Sequence, residues 1–165
     1  MKQYWQPIAI TEQDLEKVYQ LCLSNPNYYQ AMKESLTLDK IRHNLTALPP
    51  QAKAEDKFYW GYWHNQTLIA VLEGVFHYPT EDCVLIGFFM VDQSWQRQGI
   101  GASIIQQFLN QLDKSGISQA ILSYPSDSES SRRFWLNCGF TPTGERDEYE
   151  DLTLVVMAWG EFKKI

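Results

Sequence analysis

The feature that most constrains the fold is the stretch from Cys83 to Gly116, in which an apolar run, a polar turn and a glycine-rich segment follow one another. The run from Cys83 to Val91 is apolar throughout, which predicts a strand buried on both faces. Gly99-Ile100-Gly101 follows the turn, and apolar residues then recur at helical spacing, which predicts a helix from Gly99 to Ser115. Gly116 is a typical helix C-cap.

The start of this predicted helix resembles a phosphate-binding site in its chemistry. First-turn N–H groups have no partner inside a helix, and the helix dipole attracts anions. Glycine lets a diphosphate approach the backbone because no Cβ intervenes. Taken alone, a Gly-x-Gly at a helix start is weak evidence for phosphate binding. The alternative is that the glycines simply permit close packing of the strand against the helix. The residues predicted to form the cradle are Gln96, Arg97, Gln98, Gly99, Ile100 and Gly101.

Two common phosphate-binding fingerprints do not fit this stretch. The dinucleotide pattern Gly-x-Gly-x-x-Gly fails because Ser103 and Ile104 follow Gly101 where a third glycine is needed. The ATP-type loop fails because Gly-Lys-Ser/Thr does not occur in the sequence.

The order Gln96-x-x-Gly99-x-Gly101 after an apolar strand resembles the acetyl-CoA motif of the GCN5-related N-acetyltransferase (GNAT) family, Arg/Gln-x-x-Gly-x-Gly/Ala. The segment 129–140 resembles the second signature of that family, Asn-x-x-Ala-x-x-Leu-Tyr-x-Lys-x-Gly-Phe. Phe134, Gly139 and Phe140 match it, whereas Ser128, Ser131 and Trp135 stand where Asn, Ala and Tyr are usual. The resemblance covers roughly Phe58 to Trp159.

The family resemblance implies a fold and a coenzyme. The fold is α/β: a mixed, mostly antiparallel central sheet of six or seven strands, flanked by about four helices, in one domain over residues 1–165. Acetyl-CoA is the implied co-substrate, with its diphosphate on the loop 96–102, which ends at Ala102. Its pantetheine arm is implied to run beside Phe89, Met90 and Val91, with a backbone N–H near Met90 or Val91 on the thioester oxygen. Ser128 and Trp135 fall at further coenzyme-binding positions.

The implied reaction is direct attack of an amine on the thioester, without an acyl-enzyme. A carboxylate or an ordered water must take the proton of the amine. The family often has an acidic residue on the central strand, but the comparable position near Leu85 is apolar here. Glu73 on the preceding strand is the best substitute for that general base. The alternative is that Glu73 is an ordinary exposed strand residue. Trp135 replaces a tyrosine that often protonates the departing thiolate, and an indole does not ionise. Tyr124 or water is the expected replacement, although packing at a strand end also explains Tyr124.

The resemblance therefore implies an N-acetyltransferase that acts on an amino group of a small molecule or a peptide. Members of the family modify antibiotics, polyamines, amino acids and protein N-termini. The alternative is a non-catalytic acyl-CoA-binding regulatory module, which the tryptophan at position 135 keeps open. Several aromatic residues either line an acceptor pocket or belong to the core or to a homodimer contact: Tyr28, Tyr29, Trp60, Tyr62, Trp63, Phe76 and Tyr78.

Composition limits the partners and the compartment. A net charge of -6 and a pI near 5.0 disfavour nucleic acid, since phosphate backbones are bound by basic patches. Cys22, Cys83 and Cys138 are odd in number and lack metal-ligand spacing, which predicts no metal site and a reducing, cytoplasmic setting. The first ten residues are too polar for a signal peptide, and the longest apolar run is far below the ~20 residues that span a bilayer. No membrane association is expected.

The remaining elements are predicted from local signals. Tyr4 to Ile10 is expected to form an edge strand, and Thr11 to cap the first helix. Asn25-Pro26-Asn27 is expected to end that helix and to lead into an irregular segment. Ser126 with Glu129 is expected to form the capping box of the last helix.

Overall fold

The computed structural model describes residues 3–160 and contains one seven-stranded sheet with helices on both faces. The strands are β1 (Ile8–Ala9), β2 (Lys57–His64), β3 (Thr67–Phe76), β4 (Cys83–Val91), β5 (Gln119–Pro125), β6 (Thr141–Glu148) and β7 (Thr153–Gly160). The α-helices are α1 (Leu15–Leu23), α2 (Pro26–Met32), α3 (Leu38–Asn44), α4 (Ile100–Leu112) and α5 (Glu129–Asn137).

The sheet is mixed and mostly antiparallel, as predicted, with the strand order β1-β2-β3-β4-β5-β7-β6. Within residues 3–160, β4 and β5 are the only parallel neighbours, and α4 forms the crossover between them. Their pairing covers three residue pairs, from Cys83 with Gln119 to Leu85 with Ile121. Beyond Leu85 the two strands separate, which opens a gap in the middle of the sheet.

A bulge in β4 lies where the gap begins. Glu73 of β3 faces Phe88, but the next residue, Gly74, faces Ile86, so Gly87 has no partner on β3. A bulge of this kind bends its strand and increases the local twist. Gly87 is exposed although it lies in a central strand, and Phe88 and Phe89 are half-buried. The prediction that Cys83–Val91 is buried on both faces is therefore wrong at the point where β5 leaves β4.

Two apolar cores lie on the two faces of the sheet. Helix α4 packs one apolar stripe on the first face, and α5 joins it there through Trp135. Helices α1 and α3 cover the other face, above Val71 and Met90. Burial of one stripe per helix is what the sequence periodicity requires. The α4 stripe consists of Ile104, Ile105, Phe108, Leu109 and Leu112.

Two local predictions near the N-terminus are wrong. The expected strand Tyr4–Ile10 is only Ile8–Ala9, because Trp5 exchanges hydrogen bonds with the side chain of Gln107 on α4. The expected irregular segment after Asn25 is helix α2, with Pro26 in its first turn. With α2, the described part of the chain has five α-helices, compared with the expected number of about four.

The last helix begins two residues later than predicted. Ser126 donates its N–H to Thr153 O and is still bonded to β7. Ser128 is the N-cap instead, and its hydroxyl accepts from Ser131 N. Across residues 3–160, none of the helices combines the length and the apolar character that a bilayer span requires.

Candidate functional site

A cleft of about 710 Å³ opens where β4 and β5 separate. Its walls are the end of β4, the start of α4, the start of α5 and the segment that leads into α2. Of the predicted coenzyme-binding residues, those that line it are Phe89, Met90, Val91, Gln96, Arg97, Gly99, Gly101, Ala102, Ser128 and Trp135.

Gln98 and Ile100 are the two predicted coenzyme-binding residues that do not line the cleft. The side chain of Gln98 donates to Ser94 O at 3.4 Å, and Ile100 packs against the main core. Their side chains point away from the cavity, so any contribution from Ile100 is through its backbone N–H.

The start of α4 leaves its backbone donors free toward the cleft. Gly99 is the N-cap with φ 78°, and no side chain of the described chain caps the helix there. Ser103 N is the first to bond back into the helix, to Gly99 O at 3.0 Å. The N–H groups of residues 100–102 therefore have no intrahelical partner. Three such donors at the positive end of a thirteen-residue helix form an anion site.

Charge in the cleft has the sign that an anion requires. The lining includes Arg97 and Arg133, and no aspartate or glutamate of the described chain lines it. This contrasts with a whole-chain net charge of -6. The cleft is thus a local positive region on an acidic protein, and such a region concentrates anionic ligands.

The two glycines of the motif have different roles. A Cβ on Gly99 would meet nothing within 4 Å, so its φ of +78° is the feature that requires glycine. A Cβ on Gly101 would stand 3.1 Å from Phe134 Cε1 and 3.3 Å from Val91 Cγ2. Gly101 therefore also permits close packing of α4 against α5 and β4. The packing interpretation and the phosphate interpretation of these glycines are compatible.

The end of β4 is held by two amide side chains. Gln96 Nε2 donates to Val91 O at 2.7 Å and to Asn25 Oδ1 at 2.6 Å, while Asn25 Nδ2 donates to Val91 O at 3.0 Å. The sequence motif identified Gln96, but nothing in the local sequence links Asn25 to a strand 66 residues away.

Backbone hydrogen bonds show which side of β4 each N–H and C=O group faces. Asp92 N donates to Ile69 O on β3 at 2.8 Å. Successive residues of a strand direct their backbone groups to opposite sides, so the N–H and C=O groups of Val91 face away from β3 and toward β5. The carbonyl of Val91 accordingly accepts from Gln96 and Asn25 on the β5 side. The N–H groups of Val91 and, by strand alternation, Phe89 face the gap as well. They are the free strand donors that a pantetheine arm or a thioester oxygen requires.

An aromatic cluster forms part of the cleft wall next to the start of α4. Phe89 and Phe134 stack with ring centroids 5.7 Å apart, and Trp135 packs edge-on against Phe134 at 4.9 Å. Trp135 is 8 % exposed and also contacts Phe140. It is therefore a buried wall residue, held by aromatic packing.

A second cavity of about 260 Å³ adjoins the cleft and shares Tyr28, Phe89, Ser131 and Trp135 with it. Tyr124 lines this second cavity at the end of β5 and is 6 % exposed. Gly87 lines it on the opposite wall, at the bulge of β4. Tyr124 thus lies next to the point where the cleft ends, although burial also fits its packing interpretation.

Glu73 is not an exposed strand residue. Its side chain is 14 % exposed and its Oε1 forms an ion pair with Lys57, which is 9 % exposed. Lys57 Nζ also donates to Ala47 O at 2.8 Å. A Cβ on Gly87 would stand 2.5 Å from Glu73 Oε2, so this second oxygen lies against the bare backbone of the bulge. Glu73 itself lines neither cavity, but it lies directly behind a residue that does.

Burial and charge act on Glu73 in opposite directions. Burial raises the pKa of its carboxyl above the ordinary value, and the hydrogen bond and charge of Lys57 lower it. Burial also raises the pKa values of Tyr28 and Tyr59, which stay neutral beside it. A carboxylate with a raised pKa beside a cavity is a typical general base.

The cysteines are poor nucleophiles. All three are free and buried, and burial raises the pKa of Cys138 to about 11 and that of Cys83 to about 12. At neutral pH both thiols are protonated, and a thiol attacks only as the thiolate.

The aromatic residues proposed for an acceptor pocket separate into two groups. Tyr28 lines both cavities and packs against Phe88, with ring centroids 5.6 Å apart. Trp60 and Phe76 pack against Phe108 of α4 within the main core. None of the other aromatic residues in that set lines either cavity: Tyr29, Tyr62, Trp63 and Tyr78.

Comparison with known proteins gives a family and a fold. The model of the acetyltransferase (GNAT) family matches residues 16–140. An acetyltransferase from Thermus thermophilus superposes with a TM-score of 0.77 at 15% identity, over 96% of this chain and 98% of the other. None of the curated protein sequences matches the chain significantly.

Two further solved structures are similar. One is described as an acetyl transferase from Salmonella typhimurium that modifies the N-terminal serine of the 50S ribosomal subunit protein L7/L12, with a TM-score of 0.77, 18% identity and 94% coverage of both chains. The other is an N-acetyltransferase from Thermoplasma acidophilum in complex with coenzyme A, with a TM-score of 0.69, 14% identity and coverage of 96% of this chain and 99% of the other.

Proposed function

We propose that this chain, which belongs to the acetyltransferase (GNAT) family, transfers the acetyl group of acetyl-CoA to a primary amine of a small molecule or peptide. The observation that carries the proposal is the cleft in which three free N–H groups, two arginines and the unpaired edge of β4 converge. A diphosphate fits the first two features, and an extended amide-containing arm fits the third. The coenzyme A complex of a similar structure supports this assignment.

The diphosphate is proposed to accept hydrogen bonds from the N–H groups of residues 100–102. Arg97 and Arg133 neutralise its charge from the rim of the cleft. A carbonyl of the pantetheine arm then accepts from the free N–H of Val91, whose own carbonyl is occupied by Gln96 and Asn25. This directs the thioester toward Gly87 and the second cavity.

The proposed chemistry is direct acyl transfer. The nitrogen lone pair of the neutral amine forms a bond to the thioester carbon, and the carbon–sulfur bond breaks with its electron pair passing to sulfur. The N–H of Phe89, the free strand donor nearer to Gly87, stabilises the negative charge that develops on the carbonyl oxygen. Such a donor is often a large catalytic term. The high pKa values of the cysteine thiols support a route without an acyl-enzyme.

Two side chains are proposed to handle the protons. Oε2 of Glu73, which is not engaged by Lys57, accepts the proton of the amine directly or through one water. Tyr124, across the gap, donates to the departing thiolate. Trp135 cannot do so, since its indole N–H does not ionise.

The second candidate is a module that binds acyl-CoA without catalysis, and the buried Trp135 is the observation that favours it. Calorimetry with acetyl-CoA, followed by a thiol-release assay over a panel of amines, separates the two. Binding with amine-dependent release supports the transferase. Binding without release from any amine supports the module, and no binding contradicts both.

The three free, buried cysteines support a reducing compartment, and we propose a cytoplasmic location on that basis. Localisation of the tagged full chain by fluorescence tests it.

A further inference from the structure

The second cavity is lined by walls that carry no charge. It measures about 260 Å³, and every described residue that lines it is apolar, aromatic, glycine or a neutral hydroxyl. Aliphatic side chains from three different elements, Met32 of α2, Ile86 of β4 and Leu154 of β7, contribute to these walls. At ~30 Å³ per water the cavity holds roughly nine waters, which is room for a compact carbon group.

The carboxylate of Glu73 lies behind this wall, and it is already paired. Glu73 reaches the backbone of Gly87 through Oε2, and Lys57 neutralises the same carboxylate through Oε1. The pair as a whole is neutral. It can orient one amino group and accept its proton, but it cannot balance a second buried positive charge.

The rim outside the cavity has the opposite character. The end of β6 and the turn that follows it are acidic over residues 145–151, and Lys33, one residue beyond Met32, donates to Asp151 O. This turn lies beside the mouth, since Leu154 follows three residues later and lines the cavity. Negative charge at the mouth of the second cavity attracts cationic amines in general. It does not by itself select which of them enters the cavity.

We propose that the acceptor is a primary amine with one positive charge and an apolar carbon body, and that this body occupies the second cavity. The inference rests on the proposed acetyltransferase function. Loss of water around the ammonium in an apolar cavity lowers the pKa of the amine and favours the neutral form that attacks. A second ammonium in the same place would lose its hydration with no partner to compensate.

A matched pair of acceptors tests whether the site prefers an amine with a single positive charge. Hexylamine and 1,6-diaminohexane have the same chain and differ only in the second amino group. We expect kcat/KM for hexylamine to exceed that for the diamine by about 100-fold, as burial of an unpaired polar group predicts. Equal turnover of the two, or preference for the diamine or for spermidine, overturns the inference and leaves the proposed function intact.

Two variants test the location. Leu154→Glu places a carboxylate in the wall and is expected to shift the hexylamine-to-diamine ratio at least tenfold toward the diamine. Met32→Glu makes the same change from α2 and serves if the first variant does not fold. Leu136→Glu is the control, because Leu136 is 36 % exposed on α5 and lines neither cavity. An unchanged ratio in the two wall variants overturns the location.

Failure of the proposed function would be visible separately. Apolar dipeptides with a free N-terminus are tested beside the two amines. If acetyl-CoA binds but none of these acceptors causes thiol release, the acetyltransferase function itself is contradicted. If only dipeptides are turned over, the small-amine class is contradicted and the transferase stands.

Discussion

A methyl group added at Gly99 tests the proposed diphosphate site, and the chain provides a matched control. Gly99 and Gly116 both have φ +78°, and a Cβ on either would meet nothing within 4 Å. Gly99 lines the cleft, whereas Gly116 ends the short 3-10 helix that follows α4 and lies outside both cavities. Gly99→Ala and Gly116→Ala therefore introduce the same backbone strain at two places.

The expected magnitudes follow from these positions. An alanine in the left-handed region costs about 1–2 kcal/mol, so both variants are expected to lose roughly 2–8 °C in Tm. Only Gly99→Ala places a methyl group in the proposed cradle. Loss of one hydrogen bond to a charged group costs about 1.5–3 kcal/mol, which corresponds to about 10- to 150-fold in the Kd for coenzyme A.

Thermal unfolding first establishes that the two variants lose equal stability. Both variants are then titrated with coenzyme A by calorimetry. We predict a weakened Kd in Gly99→Ala and an unchanged Kd in Gly116→Ala. Equal affinities in the two folded variants would refute the cradle. Gly101 is less suitable for this test, since a side chain there collides with Phe134 and Val91 and would disturb packing as well as binding.

The remaining predictions concern the proton-handling residues. Glu73→Gln should lower kcat/KM by about 10²–10⁴-fold in the thiol-release assay. The Kd for acetyl-CoA should be unchanged, because Glu73 does not line the cleft. Full activity of the variant would exclude Glu73 as the base. Lys57→Met should raise the pKa of Glu73 further, so the acid limb of the pH–rate profile moves to higher pH; an unmoved limb would contradict this. The folded pKa of Glu73 then lies still further above its unfolded value, so Lys57→Met should lose stability as the pH rises from the unfolded pKa through the folded pKa. We expect a loss of roughly 3 kcal/mol at neutral pH relative to the unsubstituted protein, and urea unfolding at pH 4 and pH 7 checks the sign. Tyr124→Phe should lower kcat less than Glu73→Gln does, because a thiol with pKa near ~8.5 leaves readily; an equal loss in the same assay would contradict that ranking.

Local pattern was sufficient for the parts of the fold that depend on period and spacing. The apolar run 83–91 and the stripe of α4 each signal their element through residues close in sequence, and both elements are present. The seven-stranded mixed sheet follows from the order of such segments. Where the expectation failed, a distant partner decided the outcome: Gln107 holds Trp5 away from β2, and Thr153 keeps Ser126 in the sheet.

The candidate site divides in the same way. The residues of the loop 96–102 are contiguous and therefore form a pattern in the sequence. The contact of Asn25 with Val91 joins residues 66 apart, and the Lys57–Glu73 pair depends on strand register, so neither has a local signature. Gly87 is the exception, because a glycine within an apolar strand is a recognised sign of a bulge or of a close approach. That sign marks the point where the carboxylate of Glu73 lies behind the second cavity.

The most direct test of the proposed coenzyme site is a crystal structure of the protein with coenzyme A. We predict diphosphate oxygens within about 2.7–3.2 Å of the backbone nitrogens of residues 100–102, and the sulfur in the gap between β4 and β5, beside Phe89. A diphosphate bound elsewhere, with the side chains of Phe134 and Gln96 closing the cleft, would contradict this prediction.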